Sequence, residues 1–321
     1  MRVLVTGVGG DLGRKVALLL AADPGVSDLV GTDMYPPRGR VRNMTFRLID
    51  PRDRRPLLRL VREVEPTAIV HLGIYEPSAR STPHEAWERT ESATLAVLGE
   101  AADLGALERV VLRSGLEVYG RGRGSVTVPD EAVPPVPTSA FGRSLLEVER
   151  LAFATGQDGG VPVAALRFAP LVGPRFPSPL GRLLRLPVVP FSALADPPFS
   201  VVHADDAAAA VVAALRAGID GPLNVVAPGA VTVSQAALMG RRLPLGLLGP
   251  EWALVRRLTA AAGAPLPSHL MELLHRGRTA CGARCRELVP AIAERTTADI
   301  VAELHGWSDP ARLQLVQGEA A

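Results

Sequence analysis

Thr6-Gly7-Val8-Gly9-Gly10-Asp11-Leu12-Gly13 joins a short apolar run to a stretch with helical spacing. Glycines so placed between a strand and a helix make a cradle for phosphate. Gly7 permits the tight turn, Gly10 lets the backbone approach a pyrophosphate, and Gly13 lets the helix pack closely on the strand. The unpaired N–H groups of the helix start then face the phosphates. An acid follows about 20 residues on, as such a cradle requires. It is Asp33, at the end of the second apolar run, placed to accept from the 2′- and 3′-hydroxyls of a ribose. A carboxylate there repels a 2′-phosphate, which favours NAD and makes NADP the less expected cofactor. Arg38 and Arg40 stand close enough to temper that preference.

Proton-transfer candidates are few. Lys15 is the single lysine among 35 basic residues, and the tyrosines are Tyr35, Tyr75 and Tyr119. A mechanism needing a lysine has one candidate; one needing a tyrosine has three, all before residue 120. The arginine excess fits GC-rich coding. A net charge of +2 offers no basic surplus for nucleic acid. An apolar content of 47% is too high for disorder. No stretch reads as a membrane span, because arginines, glycines and prolines break the apolar region 236–274, and the N-terminus does not read as a signal peptide. Cys281 and Cys285 form neither a zinc pattern nor a disulfide framework, and point to reduced thiols in a cytoplasmic protein.

The elements that must position these residues alternate. Strand patterns lie at Val3–Thr6, Asp28–Thr32, Thr45–Ile49, Ala68–Leu72, Arg109–Arg113 and Pro162–Arg167. Helical spacing occupies Leu12–Ala22, Arg54–Glu65, Glu85–Leu104 and Phe141–Ala154, with a Gly/Pro/Arg-rich loop over 120–139. Such alternation predicts an α/β fold with a doubly wound parallel sheet of the Rossmann kind. Prolines crowd 170–198, after which come the strand Ser200–His203, the helix Asp205–Ala217, the strand Leu223–Val226 and helices over 233–275. The expected division is a dinucleotide domain, 1–168 with 200–226 returning to it. A smaller substrate or lid region is expected from 169–199 and 227–321.

The glycine loop and several later segments resemble the extended short-chain dehydrogenase/reductase family, the NAD-dependent epimerases and dehydratases. The segments are His71-Leu72-Gly73, Ser114-Gly115-Leu116-Glu117-Val118-Tyr119-Gly120, Leu166-Arg167-Phe168 through Gly173-Pro174-Arg175, Val202-His203-Ala204-Asp205-Asp206-Ala207, and Asn224-Val225. They stand in family order along most of the chain. The resemblance implies cofactor contacts from Gly7, Gly10, Asp11, Leu12, Gly13, Asp33, Asp50, Leu72, Gly73, Ser114 and Pro170. It also implies a small-molecule substrate, no nucleic-acid or membrane partner, and a homodimer formed through the helix of Phe141 and its preceding neighbour.

Family enzymes carry a Tyr-x-x-x-Lys pair and a hydroxyl residue at the end of the fifth strand. Here Phe141 stands in the tyrosine position, Leu145 in the lysine position and Gly115 in the hydroxyl position, while Thr90 falls where the family has a helix asparagine. Realignment cannot restore the pair, since neither a tyrosine nor a lysine occurs between residues 120 and 321. Arg143 sits two positions from Leu145, on another side of the helix. Glu117, two residues past Gly115, and Tyr75, with Glu76 after the His-Leu-Gly turn, are the remaining catalytic candidates. A carboxylate in an apolar pocket has a raised pKa and serves as acid or base. His203 and His71 read as structural. The apolar run 238–278 suggests a hydrophobic small molecule more than a nucleotide sugar, while helix packing explains the same pattern equally well. Two functions follow, with an ordinary dehydrogenase whose active site lies elsewhere as a weaker third. One is an atypical enzyme performing cyclisation, isomerisation, elimination or an unusual hydride transfer; the other is a non-catalytic NAD(H)-binding sensor. With a panel of sugar nucleotides and hydroxysteroids, the protein should show no alcohol- or ketone-dependent change in nicotinamide absorbance; robust turnover would overturn the claim of lost chemistry.

Overall fold

The computed structural model describes residues 1–77 and 81–306. In chain order the first part comprises β1 (Arg2–Thr6), α1 (Asp11–Ala21), β2 (Asp28–Asp33), β3 (Thr45–Leu48), α2 (Arg54–Val64), β4 (Ala68–His71), α3 (Pro83–Asp103), β5 (Arg109–Gly115), α4 (Ala140–Gly159) and β6 (Val163–Phe168). A 3-10 turn, Leu116–Tyr119, leads out of β5. Next come β7 (Leu171–Val172), α5 (Pro179–Leu184), β8 (Val188–Ser192), β9 (Val202–His203), α6 (Ala204–Ala217) and β10 (Gly221–Val225). The chain continues with α7 (Val233–Met239), β11 (Leu243–Leu247), α8 (Trp252–Ala261), α9 (Ser268–Arg276), α10 (Ala283–Leu288) and α11 (Thr297–Gly306).

A seven-stranded parallel sheet runs in the order β10-β6-β5-β4-β1-β2-β3. Helices α1 and α6 pack together as one layer, and α2, α3 and α4 as another. Strands covered on both faces need apolar side chains throughout, and β4 and β6 are buried at every residue. β3, at the sheet edge, is mostly exposed. Strand order reverses between β1 and β4, so the crevice for a ligand opens beyond their carboxyl ends.

The strands expected from sequence all form, and the resulting fold is the expected doubly wound α/β sheet. Two local differences have plain causes. Helix α3 starts at Pro83 rather than Glu85, because Thr82 and Glu85 form a reciprocal capping box and proline suits the first helical position. The region 233–275 also carries β11, paired in parallel with β8. Its Leu-Pro-Leu-Gly-Leu sequence disfavours helix and gains order from its partner strand.

A second apolar core, around Leu183, Phe199, Leu273 and Ile300, underlies the C-terminal part. Residues 283–293 pack elsewhere: Cys285, Val289 and Ile292 join the main core. Cys281 and Cys285 are both free thiols.

Two buried polar assemblies hold the sheet's carboxyl edge. The His71 Nδ1 atom lies 2.8 Å from Thr6 Oγ1 and its Nε2 lies 2.9 Å from Thr94 Oγ1, tying β1 and β4 to α3. Burial pushes this imidazole down to about 4, so it stays neutral and acts as a hydrogen-bond post. The other assembly centres on Arg167 of β6, which donates twice to the Glu149 carboxylate of α4, at 2.9 and 2.7 Å. Ser114 Oγ donates to the same carboxylate at 2.5 Å. Arg167 also donates to Tyr119 Oη at 2.9 Å, and Tyr119 donates to Asn224 Oδ1 at 2.8 Å. The pair's side chains are 4% and 1% exposed. Removing one partner of such a pair strands the other's charge, at about 3–5 kcal/mol, whereas an apolar pair in its place is often tolerated. Glu149→Ala should therefore lower stability in urea denaturation by about that much, and Glu149→Leu with Arg167→Met should recover much of it.

Candidate functional site

The glycine loop has two kinds of glycine. At Gly7 the backbone φ is +74°, and a Cβ would stand 2.6–2.7 Å from the backbone of Leu72 and Gly73. At Gly13 a Cβ would overlap the Gly7 carbonyl oxygen. Both constraints are internal to the fold. At Gly9, which sequence reasoning passed over, a Cβ would overlap the Tyr35 carbonyl oxygen and press on the Asp33 carboxyl. Gly10 differs: a Cβ there would meet only the Gly7 oxygen, at 3.4 Å, and would otherwise project into open space. The fold itself does not need a glycine at position 10, and the space beside it is open. Gly10 is also the N-cap of α1, and no side chain caps that helix. Asp11, Leu12 and Gly13 form its first turn.

Asp33 ends β2 beside this loop. Its Oδ2 accepts from the Gly9 N–H at 3.0 Å and its Oδ1 from the Tyr35 N–H at 3.3 Å. Burial raises its pKa, against these N–H groups. Each oxygen retains acceptor capacity for a ribose hydroxyl. Arg38 and Arg40 are exposed in the loop beyond. Asp50 lies past β3 and is paired with Arg52 at 2.7 Å, which holds its carboxyl below the usual range. The donor set and the open cradle at Gly10 thus fit a dinucleotide. Lys15, the lone lysine, is spent elsewhere: it bridges α1 to Asp205 at the start of α6.

Beyond β4, β5 and β6 lies a cavity of about 250 Å³. Phe141, Leu145, Phe168, Phe176, Leu270 and Leu273 supply apolar walls. Asp11, Ser114 and Pro170 line the loop side, and Gly115 and Glu117 the end of β5. Phe141 and Leu145 therefore face the cavity from α4, but neither carries a titratable group. Tyr75 lines a separate small pocket with Trp87, Thr90 and Phe141. Burial, with the charges of Asp33 and Asp50, raises its phenol pKa well above the ordinary value. Its neighbour Glu76 reaches the larger cavity. Arg143 is exposed and donates to the Thr138 carbonyl at 3.2 Å. Thr90 accepts from the Tyr75 N–H at 3.0 Å. His203 caps α6, its Nδ1 accepting from the Asp205 N–H at 3.2 Å.

The cavity is more charged than its sequence suggests. Arg278, 2% exposed, donates to Glu117 Oε1 at 2.6 Å, to Glu272 Oε2 at 3.2 Å and to the His269 carbonyl at 3.1 Å. Glu117 is thus not a lone carboxylate in an apolar wall, as sequence reasoning expected; a guanidinium from the far end of the chain partners it. A Cβ at position 115 would overlap Glu117 Oε2. That oxygen fills the space which a side chain at residue 115 would take. Opposite, His269 Nε2 lies 2.7 Å from Glu76 Oε1. Burial alone would raise the Glu76 carboxyl, but His269, with Arg113 and Arg278, outweighs it and holds the group below the usual carboxylate range.

His269 and Arg278 escaped sequence reasoning. His269 lies in the first turn of α9 and Arg278 just beyond its end, more than 150 residues from Glu117, and their only signal was polarity inside an apolar run. Among the described residues, no cluster of three or more His, Cys, Asp or Glu side chains is arranged for a metal, and no helix is long and apolar enough to cross a membrane.

The sequence profile of the NAD dependent epimerase/dehydratase family matches residues 3–226. An uncharacterized protein of Mycobacterium tuberculosis is 28% identical over 260 residues, covering 78% of this chain and 69% of its own. A UDP-glucose 4-epimerase of Azospirillum brasilense is 26% identical over 312 residues, 91% of this chain and 77% of that protein. The solved structure of a Thermus thermophilus UDP-glucose 4-epimerase in complex with NAD superposes with a TM-score of 0.71 at 23% identity, over 96% of this chain and all of that one. At that identity the likeness speaks for the fold.

The glycine geometry separates folding from binding. Gly13→Ala should destabilise by about 1–3 kcal/mol through overpacking and also lose bound dinucleotide. Gly10→Ala should leave stability within about 0.5 kcal/mol of wild type while still losing dinucleotide, as read by thermal melting and by nucleotide release on denaturation.

Proposed function

The chain belongs to the NAD dependent epimerase/dehydratase family, and from that premise we propose that it is an NAD-binding enzyme acting on a small, largely apolar molecule with Glu117 as its proton-handling group. The observation that carries this reading is the position of Glu117 Oε2, in the space a side chain at Gly115 would fill. Family enzymes hold a hydroxyl there; this chain holds a carboxylate oxygen. Oε1 is occupied by Arg278, which fixes the carboxylate and leaves Oε2 for a substrate. Phe141 and Leu145, in the tyrosine and lysine positions, close the wall and exclude water.

Gly7, Gly10, Asp11, Leu12 and Gly13 would hold the NAD pyrophosphate, Asp33 its ribose and Asp50 the adenine side. Leu72, Gly73, Ser114 and Pro170 would border the nicotinamide end. When bound, NAD supplies a hydride acceptor or, reduced, a donor. The chain's own part is to orient the substrate between the apolar walls and to take a proton at Glu117 Oε2, then return it. That suffices for a cyclisation, isomerisation or elimination. The aromatic and leucine walls of the cavity support a substrate with an apolar body. Tyr75, behind Phe141, supports that wall from the smaller pocket. The two free thiols fit a cytoplasmic protein, and α3 with α4 offers the face for pairing two copies.

Denaturing mass spectrometry of the purified protein should release NAD(H) in near-equal amount to the chain. Incubated with a cellular small-molecule extract, the protein should convert one component. Glu117→Gln should keep the nucleotide and lower that conversion by about 100-fold or more. Conversion indifferent to Glu117→Gln would remove the carboxylate from the mechanism, and retained nucleotide with no conversion would favour a non-catalytic sensor.

A further inference from the structure

His269 is the second residue of α9, buried to 5% exposure in the roof of the cavity. Its Nε2 lies 2.7 Å from Glu76 Oε1. An ionised carboxylate only accepts, so Nε2 must carry the ring proton. Whenever the ring carries a single proton, its bare lone pair is therefore at Nδ1. That atom is buried and has no hydrogen-bond partner among the described residues. Buried acceptors are ordinarily satisfied, and an exception in a cavity wall points to a missing donor. The imidazole also leans on the Phe141 ring, with centroids 4.8 Å apart and planes at 43°. Phe141 occupies the position of the family's tyrosine. The lid thus brings a proton acceptor to the place where the phenol is missing.

We propose that His269, oriented by Glu76, is a second catalytic group that accepts a proton at Nδ1 from a hydroxyl of the substrate. The inference rests on the cavity being the active site. The O–H bond of the substrate breaks, its electron pair stays on oxygen, and an Nδ1–H bond forms. The imidazolium is then balanced by the Glu76 carboxylate, as a histidine–carboxylate dyad requires. In a redox-neutral cyclisation or isomerisation, the proton returns to the substrate oxygen that receives the displaced electron pair. Atoms and electrons balance with no further reactant. The substrate class narrows accordingly to a small apolar molecule bearing a hydroxyl. Glu76 is a positioning residue: it fixes which nitrogen is bare.

The test uses the full chain as purified. Histidine-selective ¹⁵N NMR, with His269→Asn and His269→Gln to assign the signal, reads the tautomer directly. The expected result at mildly alkaline pH is a proton on Nε2 and none on Nδ1, with Glu76→Gln converting this to a tautomer mixture. A proton resident on Nδ1 overturns the proposal whatever the substrate. On the component converted from the cellular extract, His269→Asn should lower kcat by about 100-fold with little change in KM, and free imidazole should restore turnover to His269→Ala. Glu76→Gln should lower kcat with KM held. If Glu117→Gln is inactive while His269→Asn and His269→Gln turn over like wild type, the role of His269 is refuted and the reading of Glu117 stands. If instead both His269 variants are inactive and Glu117→Gln is not, the reading of Glu117 fails and that of His269 survives.

Discussion

Arg167 brings a full charge into the buried strand β6, and the arrangement of its surroundings follows from that charge. An unpaired guanidinium in so dry a place would be untenable, so Glu149 of the covering helix must meet it. Once that pair forms, the remaining lone pairs and protons dictate the rest. Ser114 donates to the carboxylate, Tyr119 accepts from the guanidinium, and Asn224 accepts from Tyr119. Asn224 in turn donates to the carbonyls of Pro129 and Cys281, at 3.3 and 3.1 Å. One buried charge thereby sets α4, β5, β6, β10 and two loops relative to one another. The cavity wall of Gly115, Phe141 and Leu145 stands on those elements.

The cavity itself obeys a similar rule. Glu76 and Glu117 come from the sheet's carboxyl edge, and the groups that partner them, His269 and Arg278, come from the first turn of α9 and the residues just past its end. Paired charges in a low-dielectric wall interact strongly and need good geometry. They therefore fasten α9 over the cavity while fixing the orientation of both carboxylates. Thr138 donating to Glu272 adds a third tie across the same boundary.

How much of this was legible depended on the range of the interactions. Buried parallel strands announce themselves as continuous apolar runs, and the sheet was readable from Val3 to Val225 for that reason. Glycines forced by local turns or close helix packing were readable as a motif. The start of α3 was blurred by two residues, since a capping box competes with simple periodicity. Strand β11 was hidden because five residues with a proline and a glycine carry too weak a pattern; pairing with β8 decides their state. In the site, Glu117 was visible as an acid near the end of a strand, but its guanidinium partner was not.

By itself the sequence determined the fold class, the glycine turn after the first strand and the absence of tyrosine and lysine from residue 120 onward, because each rests on residue identity within a few turns of chain. Only the tertiary structure decided what stands in their place. The Glu117 oxygen beside Gly115, the Arg278 that holds it and the imidazole against Phe141 belong to segments separated by much of the chain. Their meeting is set by packing of the lid on the sheet, and no local pattern of residues encodes a distance of that kind.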